Sequence, residues 1–476
     1  MSEIIWSPQP KQKLFLSEPG FEALYGGAAG GGKSDALLME SLRQIDKPNY
    51  KGIIFRRTYQ QLEELVDKSL RFIPRAVPGA KFNASKTIWT FPSGAKVLLR
   101  PMDRETDKTK YQGHEYQYIG FDELTHFSYT QYAYLKSRCR TSDKSIRCYI
   151  RATANPGGVG HAWVKERFID SLKPYQRKWE LVSEGGIKIM RSRIFIPATV
   201  FDNRILMEND PDYIANLATL PDADKRALLY GDWNSFDGQV FREFKDDPNH
   251  YIDQKYTHVI APFDIPAHWR VYRAYDFGYS KPFSVGWYAV DTEGTLYRIG
   301  ELYGCNGTPN AGVRWEPAKQ AAEIKAYEQQ NPNLKGRQIY GIADPAIFEE
   351  SKGESIAEIM RREGIFFDPG DHQRIAGKMQ VHNRLAFDEN GRPGLYFFNT
   401  CKNMIRTLPA LCYDDCHVED VDSDMEDHAY DELRYMCMER PIKSKKQKEA
   451  VVKPYNPLDD TEYSIGAHYE YYRRRT

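Results

Sequence analysis

The sequence predicts an α/β protein built as two sheet-bearing halves, on three observations. Buried strands alternate with amphipathic helices through about residue 156, a pattern that argues for a parallel sheet. A second alternation opens near residue 258 and runs through three strands before its first helix. The chain has 476 residues, longer than one hydrophobic core usually serves.

The first half begins with "FEALY" as a short buried strand and "SDALLMESLRQI" as a helix. Between them lies "GGAAGGGKS", residues 26–34. Gly27, four spacers that include Gly30, then Gly32, Lys33 and Ser34 fit G-x-x-x-x-G-K-[ST], a loop whose backbone N–H groups converge on phosphate. Lys33 is expected to pair with the β and γ phosphates of ATP, Ser34 to hold Mg²⁺, and the following helix to present its positive end. Upstream, Gln9 and Gln12 are candidates for the adenine edge.

"KGIIFRRT" (51–58) reads as the next strand and "YQQLEELVDKSLRFI" as a helix. "YQYIGFDEL" (116–124) is a strand that ends in Asp122 and Glu123. There an aspartate can hold Mg²⁺ and the next carboxylate can polarise water, which favours hydrolysis over small-molecule phosphoryl transfer. The same pair also suits a helix N-cap. Arg56 or Arg57 is a candidate arginine finger, in cis or from a neighbouring subunit, and an exposed salt-bridging pair is the alternative. "SIRCYIRATANP" (145–156) runs into a turn in which Thr153 and Asn155 are candidates to sense the phosphate state, with a simple turn as the alternative. From about 160 to 235 the pattern reads as helical and polar, with "DPDYIANLATLPDADKRALLYGDW" as a small helical subdomain.

In the second half "WRVYRAYDFG", "PFSVGWYAVD" and "TLYRIGELYG" are successive strands, followed by the helix "EPAKQAAEIKAYEQQ", the strand "RQIYGIADPA" and the helix "SIAEIMRREG". That is the order of a ribonuclease H-like mixed sheet. Asp276 lies on the first strand among aromatics, where a carboxylate is costly unless paired or metal-bound. Asp344 ends a later strand, and Asp427, His428 and Asp431 open a helix. The i, i+4 spacing puts both of those aspartates on one helix face. Carboxylates from two strands and a helix suit two Mg²⁺ or Mn²⁺ ions about 4 Å apart, the arrangement that cuts phosphodiesters. Each aspartate taken alone also fits a cap, an Asx turn or a surface charge. Glu301 is an auxiliary ligand candidate.

Lys plus Arg and Asp plus Glu both number 66, so no global positive field draws nucleic acid, and any such contact rests on local patches. Seven cysteines, an odd count, beside a nucleotide motif suggest reduced thiols. Cys412, Cys416 and His417 lack the other half of a four-ligand zinc site nearby. The N-terminus lacks signal-peptide character, and no apolar run approaches the roughly 18 residues that span a bilayer. The basic runs "KSKKQK" and "YYRRRT" in the tail read as solvated, with phosphate contact or partner docking as the alternative.

In order, "GGAAGGGKS", "IIFRRTYQQL", "YIGFDEL", "ATANPGG", "LLYGDW", "AYDFG", "ADPA", "TLPAL" and "EDHAYDELRY" resemble the large terminase subunit of tailed bacteriophages and prophages, over nearly the whole chain. The resemblance implies an N-terminal ASCE-type P-loop ATPase (1–165), a helical lid or linker (166–245), a C-terminal ribonuclease H-like nuclease (246–442) and a basic tail (443–476). It implies that Lys33 and Ser34 bind ATP·Mg²⁺, Asp122 coordinates, Glu123 activates water and "TANP" couples hydrolysis to movement. It further implies that Asp276, Asp344 and Asp431 bind the nuclease metals beside His428, with Asp427 as the other acidic position of the motif. The implied partners are double-stranded DNA, a portal protein, a small terminase subunit and further copies in a ring, with a monomer plausible in isolation. The implied place of work is the host cell cytoplasm, with no membrane. Rival readings are an ATP-driven helicase or translocase without nuclease activity and a non-catalytic ATP-bound assembly scaffold.

Overall fold

The computed structural model describes residues 4–440, apart from 185, 211, 221–224, 235, 237, 351, 352, 415, 416 and 418. Both basic runs of the tail, and Cys416, therefore lie outside the described residues.

The first sheet has nine strands: β1 (Glu22–Gly27), β2 (Lys51–Arg56), β3 (Lys81–Asn83), β4 (Ile88–Thr90), β5 (Lys96–Pro101), β6 (Tyr118–Phe121), β7 (Tyr149–Ala154), β8 (Lys178–Glu184) and β9 (Ile187–Ala198). Their order is β3-β4-β5-β2-β6-β7-β1-β9-β8, parallel from β5 to β9 with antiparallel hairpins at both edges. Ile53 and Phe55 point into one core and Ile54 into the other, so both faces are covered, as a parallel sheet requires. The strand leading into the glycine loop (β1) and the strand leading into Asp122 (β6) flank β7. All three strands deliver their C-terminal ends to one edge, where α/β sheets bind ligands.

The expectation of helix between 160 and 235 is corrected over residues 178–198, which form the β8–β9 hairpin. The far half of β9 pairs with β1, from Glu22↔Arg193 to Gly27↔Ala198, and there Ile194, Phe195 and Ile196 are buried. Charged residues interrupt the apolar alternation of this strand, and its burial depends on a partner far away in sequence. Short helices follow at Arg204–Asn209 and Asp212–Ala218.

The second sheet comprises β10 (Val259–Ile260), β11 (Arg270–Asp276), β12 (Ser284–Val290), β13 (Leu296–Tyr303), β14 (Ile339–Ala343), β15 (Asp368–Pro369) and β16 (Leu395–Phe398), in the order β10-β16-β13-β12-β11-β14-β15. β11, β12 and β13 are antiparallel neighbours, while β14 and β15 continue parallel to β11. This is the ribonuclease H-like order, extended by β16 and β10 beyond β13. Helices Pro317–Gln330 and Ile356–Arg362 pack on one face through Ala321, Ile324 and Met360. Helices Arg374–Leu385 and His428–Glu439 pack on the other through Val381, Leu433 and Met436.

Candidate functional sites at the two sheet edges

The glycine loop is held from both sides. Ala28 N–H donates to the carbonyl of Ala198 and Ala29 N–H to that of Leu228, each at 2.8 Å. Gly27 runs so close to β9 that a Cβ there would lie 2.6 Å from the Ala198 carbonyl oxygen. Gly32, at φ 67°, turns the chain into the helix Lys33–Glu40 through a left-handed conformation that glycine adopts without steric cost. Gln12 Nε2 donates to the Gly32 carbonyl at 2.7 Å, and the Gln9 amide links to Asn203 and to the Arg204 N–H. Gln12 thus reaches the loop directly, and Gln9 only through Asn203. Asn203 also donates to the Gly30 carbonyl at 2.6 Å, a contact with no signal in the sequence.

Lys33 is buried, its ammonium donates to the Ala28 carbonyl inside the loop, and burial pulls its pKa below the ordinary lysine value. Asp122, fully buried just past β6, is the hub of the site. Its Oδ1 accepts from Ser34 Oγ at 3.0 Å and from Thr153 Oγ1 at 2.6 Å, and its Oδ2 accepts from Arg56 Nε at 2.6 Å. Burial opposes the Arg56 charge, but the Asp122 carboxylate outweighs it and holds the guanidinium pKa above its usual value. Arg57 points elsewhere, with Nη1 donating to the His126 carbonyl and Nε 3.4 Å from Asp103. Of the two arginines, only Arg56 meets Asp122.

Glu123 has φ 61°, a left-handed conformation uncommon for a side-chain-bearing residue and concentrated where function constrains the backbone. Its carboxylate accepts from Asn155 N–H at 2.9 Å and Asn155 Nδ2 at 3.0 Å, and its own N–H donates to Thr153 Oγ1 at 3.1 Å. The "DE" and "TAN" segments, about 30 residues apart, are one hydrogen-bonded unit.

At the second sheet, parallel pairing of Tyr275 with Ala343 sets Asp276 and Asp344 abreast, and Asp344 N–H donates to the Tyr275 carbonyl at 3.1 Å. Asp344 also caps the turn Pro345–Phe348 by accepting from Ala346 N–H at 3.0 Å. Asp427 is the N-cap of the helix His428–Glu439, and Asp431 N–H donates to its carbonyl at 2.9 Å. Burial, then the charges of Asp431 and Asp344, push the Asp276 carboxyl well above the usual range. Burial and Asp431 do the same to Asp427. The His428 ring lies between them, with Nδ1 3.6 Å from Asp276 and 3.8 Å from Asp427 and Nε2 against Asn310 Oδ1 at 3.0 Å.

Hard oxygen donors that repel one another, with Asp276 and Asp427 buried, fit a divalent cation such as Mg²⁺ or Mn²⁺. Among the described residues, however, no three His, Cys, Asp or Glu groups already stand as a metal cage. Asp431 instead faces Arg434 Nε at 3.1 Å and Arg374 Nη1 at 3.5 Å. Arg434 lies three residues along the same helix and was within reach of a spacing argument, whereas Arg374 comes from another helix. Glu301 is a correction: its carboxylate accepts from the N–H groups of Asn403 at 2.7 Å and Met404 at 3.2 Å, so it caps the helix Lys402–Thr407. His417 is exposed beside Asp414, 3.3 Å away.

Behind Asp431, Glu432 turns into the core. Arg298 Nη1 stands 2.8 Å from its carboxylate, and Ser284 Oγ donates to it at 3.4 Å, which ties the helix to β12 and β13.

The family model described as terminase large subunit, T4likevirus-type, N-terminal, matches residues 24–245. Among solved structures, the chain is similar to the large terminase from a thermophilic bacteriophage, at 17% identity over 90% of this chain and 98% of that one, with TM-score 0.38. The HK97 bacteriophage large terminase aligns at 10% identity over 91% and 94%, with TM-score 0.44. The nuclease domain of the P22 large terminase aligns at 17% identity over 43% and 93%, with TM-score 0.32. No curated protein matches the chain in sequence.

Proposed function

We propose, from the family-model match over residues 24–245, that the chain is a terminase large subunit, the motor of viral DNA packaging, an ATP hydrolase and a metal-dependent endodeoxyribonuclease in one polypeptide. The observation that carries this reading is the Asp122 hub, which gathers Ser34, Thr153 and Arg56 at the edge that also holds Lys33 and Glu123.

In the ATPase half, Lys33 and the loop N–H groups would bind the phosphates of a bound nucleotide, and Ser34 and Asp122 would hold its Mg²⁺. Glu123 accepts a proton from the attacking water. Asn155 holds that carboxylate in place, so a shift of the "TAN" segment moves the base, which links hydrolysis to the movement of double-stranded DNA. Arg56, already charged beside Asp122, is placed to stabilise the transferred phosphoryl group.

In the nuclease half, Asp276, Asp344 and Asp431, with Asp427 and His428 beside them, would hold two Mg²⁺ or Mn²⁺ ions. When bound, such ions supply water activation and leaving-group stabilisation for phosphodiester cleavage. The protein's part is to keep the carboxylates abreast on adjacent strand ends and to anchor the helix through Glu432 and Arg298.

Cutting of concatemeric DNA, docking on a portal, ring assembly and DNA choice through a small subunit complete the reading, with host cytoplasm as the place of assembly. No helix among the described residues is long and apolar enough to cross a membrane.

The test measures ATP turnover and cleavage of supercoiled plasmid by the full chain with Mn²⁺, Mg²⁺ or EDTA, beside Asp276→Asn. Metal-dependent cutting that disappears in Asp276→Asn while ATPase persists supports the two-activity reading. Absence of cutting by the folded wild-type chain under either metal moves the assignment to a translocase without nuclease activity.

A further inference from the structure

Arg374, the first residue of the helix Arg374–Leu385, presents its guanidinium to three carboxylates at once. Nε donates to Asp420 Oδ2 at 2.6 Å, Nη1 lies 3.5 Å from Asp431 and Nη2 4.0 Å from Asp427, and Nη2 also donates to the Val421 carbonyl at 3.3 Å. The tight bond goes to Asp420, which lies outside the proposed metal set. The longer approaches go to the two helix aspartates of that set. At these lengths, beyond the 2.7–2.9 Å or so of a strong charge-assisted bond, the guanidinium bonds Asp431 only weakly, through Nη1 at 3.5 Å to both oxygens, and reaches Asp427 by its field alone, so a cation can displace it.

We propose that Arg374 is a resident counter-ion of the nuclease carboxylates, anchored by Asp420, which a divalent cation must outcompete at Asp427 and Asp431, so that this arginine sets the metal affinity of the centre. The inference rests on the two-metal nuclease reading. A third of the Arg374 side chain is exposed, so it has room to withdraw, whereas Arg434 on the other side of Asp431 is buried and stays. A weakly held metal would keep the nuclease idle until DNA phosphates add their own negative charge to the site. Arg374 thus acts as a positioning residue for charge.

The proposal predicts a direction opposite to that of structural damage. A guanidinium this close to Asp431 and Asp427 repels any divalent cation placed between them. Removing Arg374 is therefore expected to tighten metal binding by about tenfold or more. The experiment titrates Mn²⁺ into the nucleotide-free full chain by electron paramagnetic resonance, for wild type, Arg374→Gln and Arg374→Lys. Asp276→Asn identifies the binding class that belongs to the nuclease centre, and circular dichroism confirms folding. Arg374→Gln is expected to bind Mn²⁺ about tenfold more tightly in that class, with Arg374→Lys close to wild type.

Unchanged or weaker binding in folded Arg374→Gln overturns the proposal, as does a lysine variant as tight as the glutamine one. If wild type binds Mn²⁺ in that class and cuts plasmid while Arg374→Gln is no tighter, only this inference fails. If neither wild type nor Arg374→Gln shows an Asp276-dependent class, the two-metal reading fails with it.

Discussion

Arg298 and Glu432 form an ion pair that no solvent reaches, with Nη1 2.8 Å from the carboxylate and both side chains fully buried. The pair joins β13 to the helix that carries Asp431. Removing one partner leaves an uncompensated buried charge, at a cost of about 3–5 kcal/mol. Arg298→Met is therefore expected to lower the thermal midpoint of the nuclease half by several degrees and to reduce DNA cutting more than ATP turnover. Differential scanning calorimetry alongside the two activity assays checks this. An unchanged midpoint would show that the pair does not anchor the helix.

Gly286 lies under the same carboxylate, where a Cβ would fall 2.2 Å from Glu432 Oε1. Neither partner can yield easily, because Arg298 holds the carboxylate. Gly286→Ala is expected to destabilise the fold by about 1–3 kcal/mol, the usual range for overpacking. Chemical denaturation measures it, and a neutral result would mean that the Glu432 side chain has another place to go.

The Glu123–Asn155 unit predicts a split between binding and turnover. Glu123→Ala is expected to keep ATP affinity within a few-fold while slowing hydrolysis by about 10²–10⁴, the usual share of a general base. Fluorescent nucleotide binding and a phosphate-release assay separate the two quantities. Turnover equal to wild type would favour the non-catalytic scaffold over the motor.

Arg56 and Arg57 are adjacent in sequence and differ in what they touch. Arg56→Ala is expected to cut hydrolysis by about 10³ or more, within the range of arginine fingers. Arg57→Ala, which loses Asp103 and a backbone carbonyl, is expected to cost far less in the isolated chain. If Arg57→Ala proves the more damaging in the isolated chain, the cis assignment of Arg56 is wrong.

His258 is buried as the neutral ring, with Nδ1 accepting from Lys245 N–H at 2.9 Å and Nε2 donating to the Leu385 carbonyl at 2.8 Å. Burial pushes its pKa down to about 4 from an ordinary value of 6.5. Between those values the unfolded chain binds the extra proton, so this contribution is fully present above pH 6.5 and is lost as pH falls towards 4. The linkage amounts to about 3 kcal/mol. Urea unfolding at several pH values should show a steeper acid loss for wild type than for His258→Gln, and equal slopes would rule out a neutral buried ring.

Local chemistry in the sequence determined the loop from Gly27 to Ser34, the strand ending in Asp122 and Glu123, and the helix start at Asp427. Such features depend on neighbours within a turn or a strand: glycines that permit positive φ, apolar runs that demand burial, and i, i+4 spacing. The three-strand opening of the second sheet was legible for the same reason, since its turns are short.

The partners were decided only by tertiary structure. Ser34, Arg56 and Thr153 meet on Asp122 because β1, β2, β6 and β7 lie in spatial order, which no single strand encodes. Strand β9 looked polar because its burial comes from pairing with β1, about 170 residues earlier. Glu301 and Arg374 took their places for the same reason. A carboxylate near a helix N-terminus is drawn to its free N–H groups, and a guanidinium settles where acids from separate segments converge. Those fields exist only once the chain has folded.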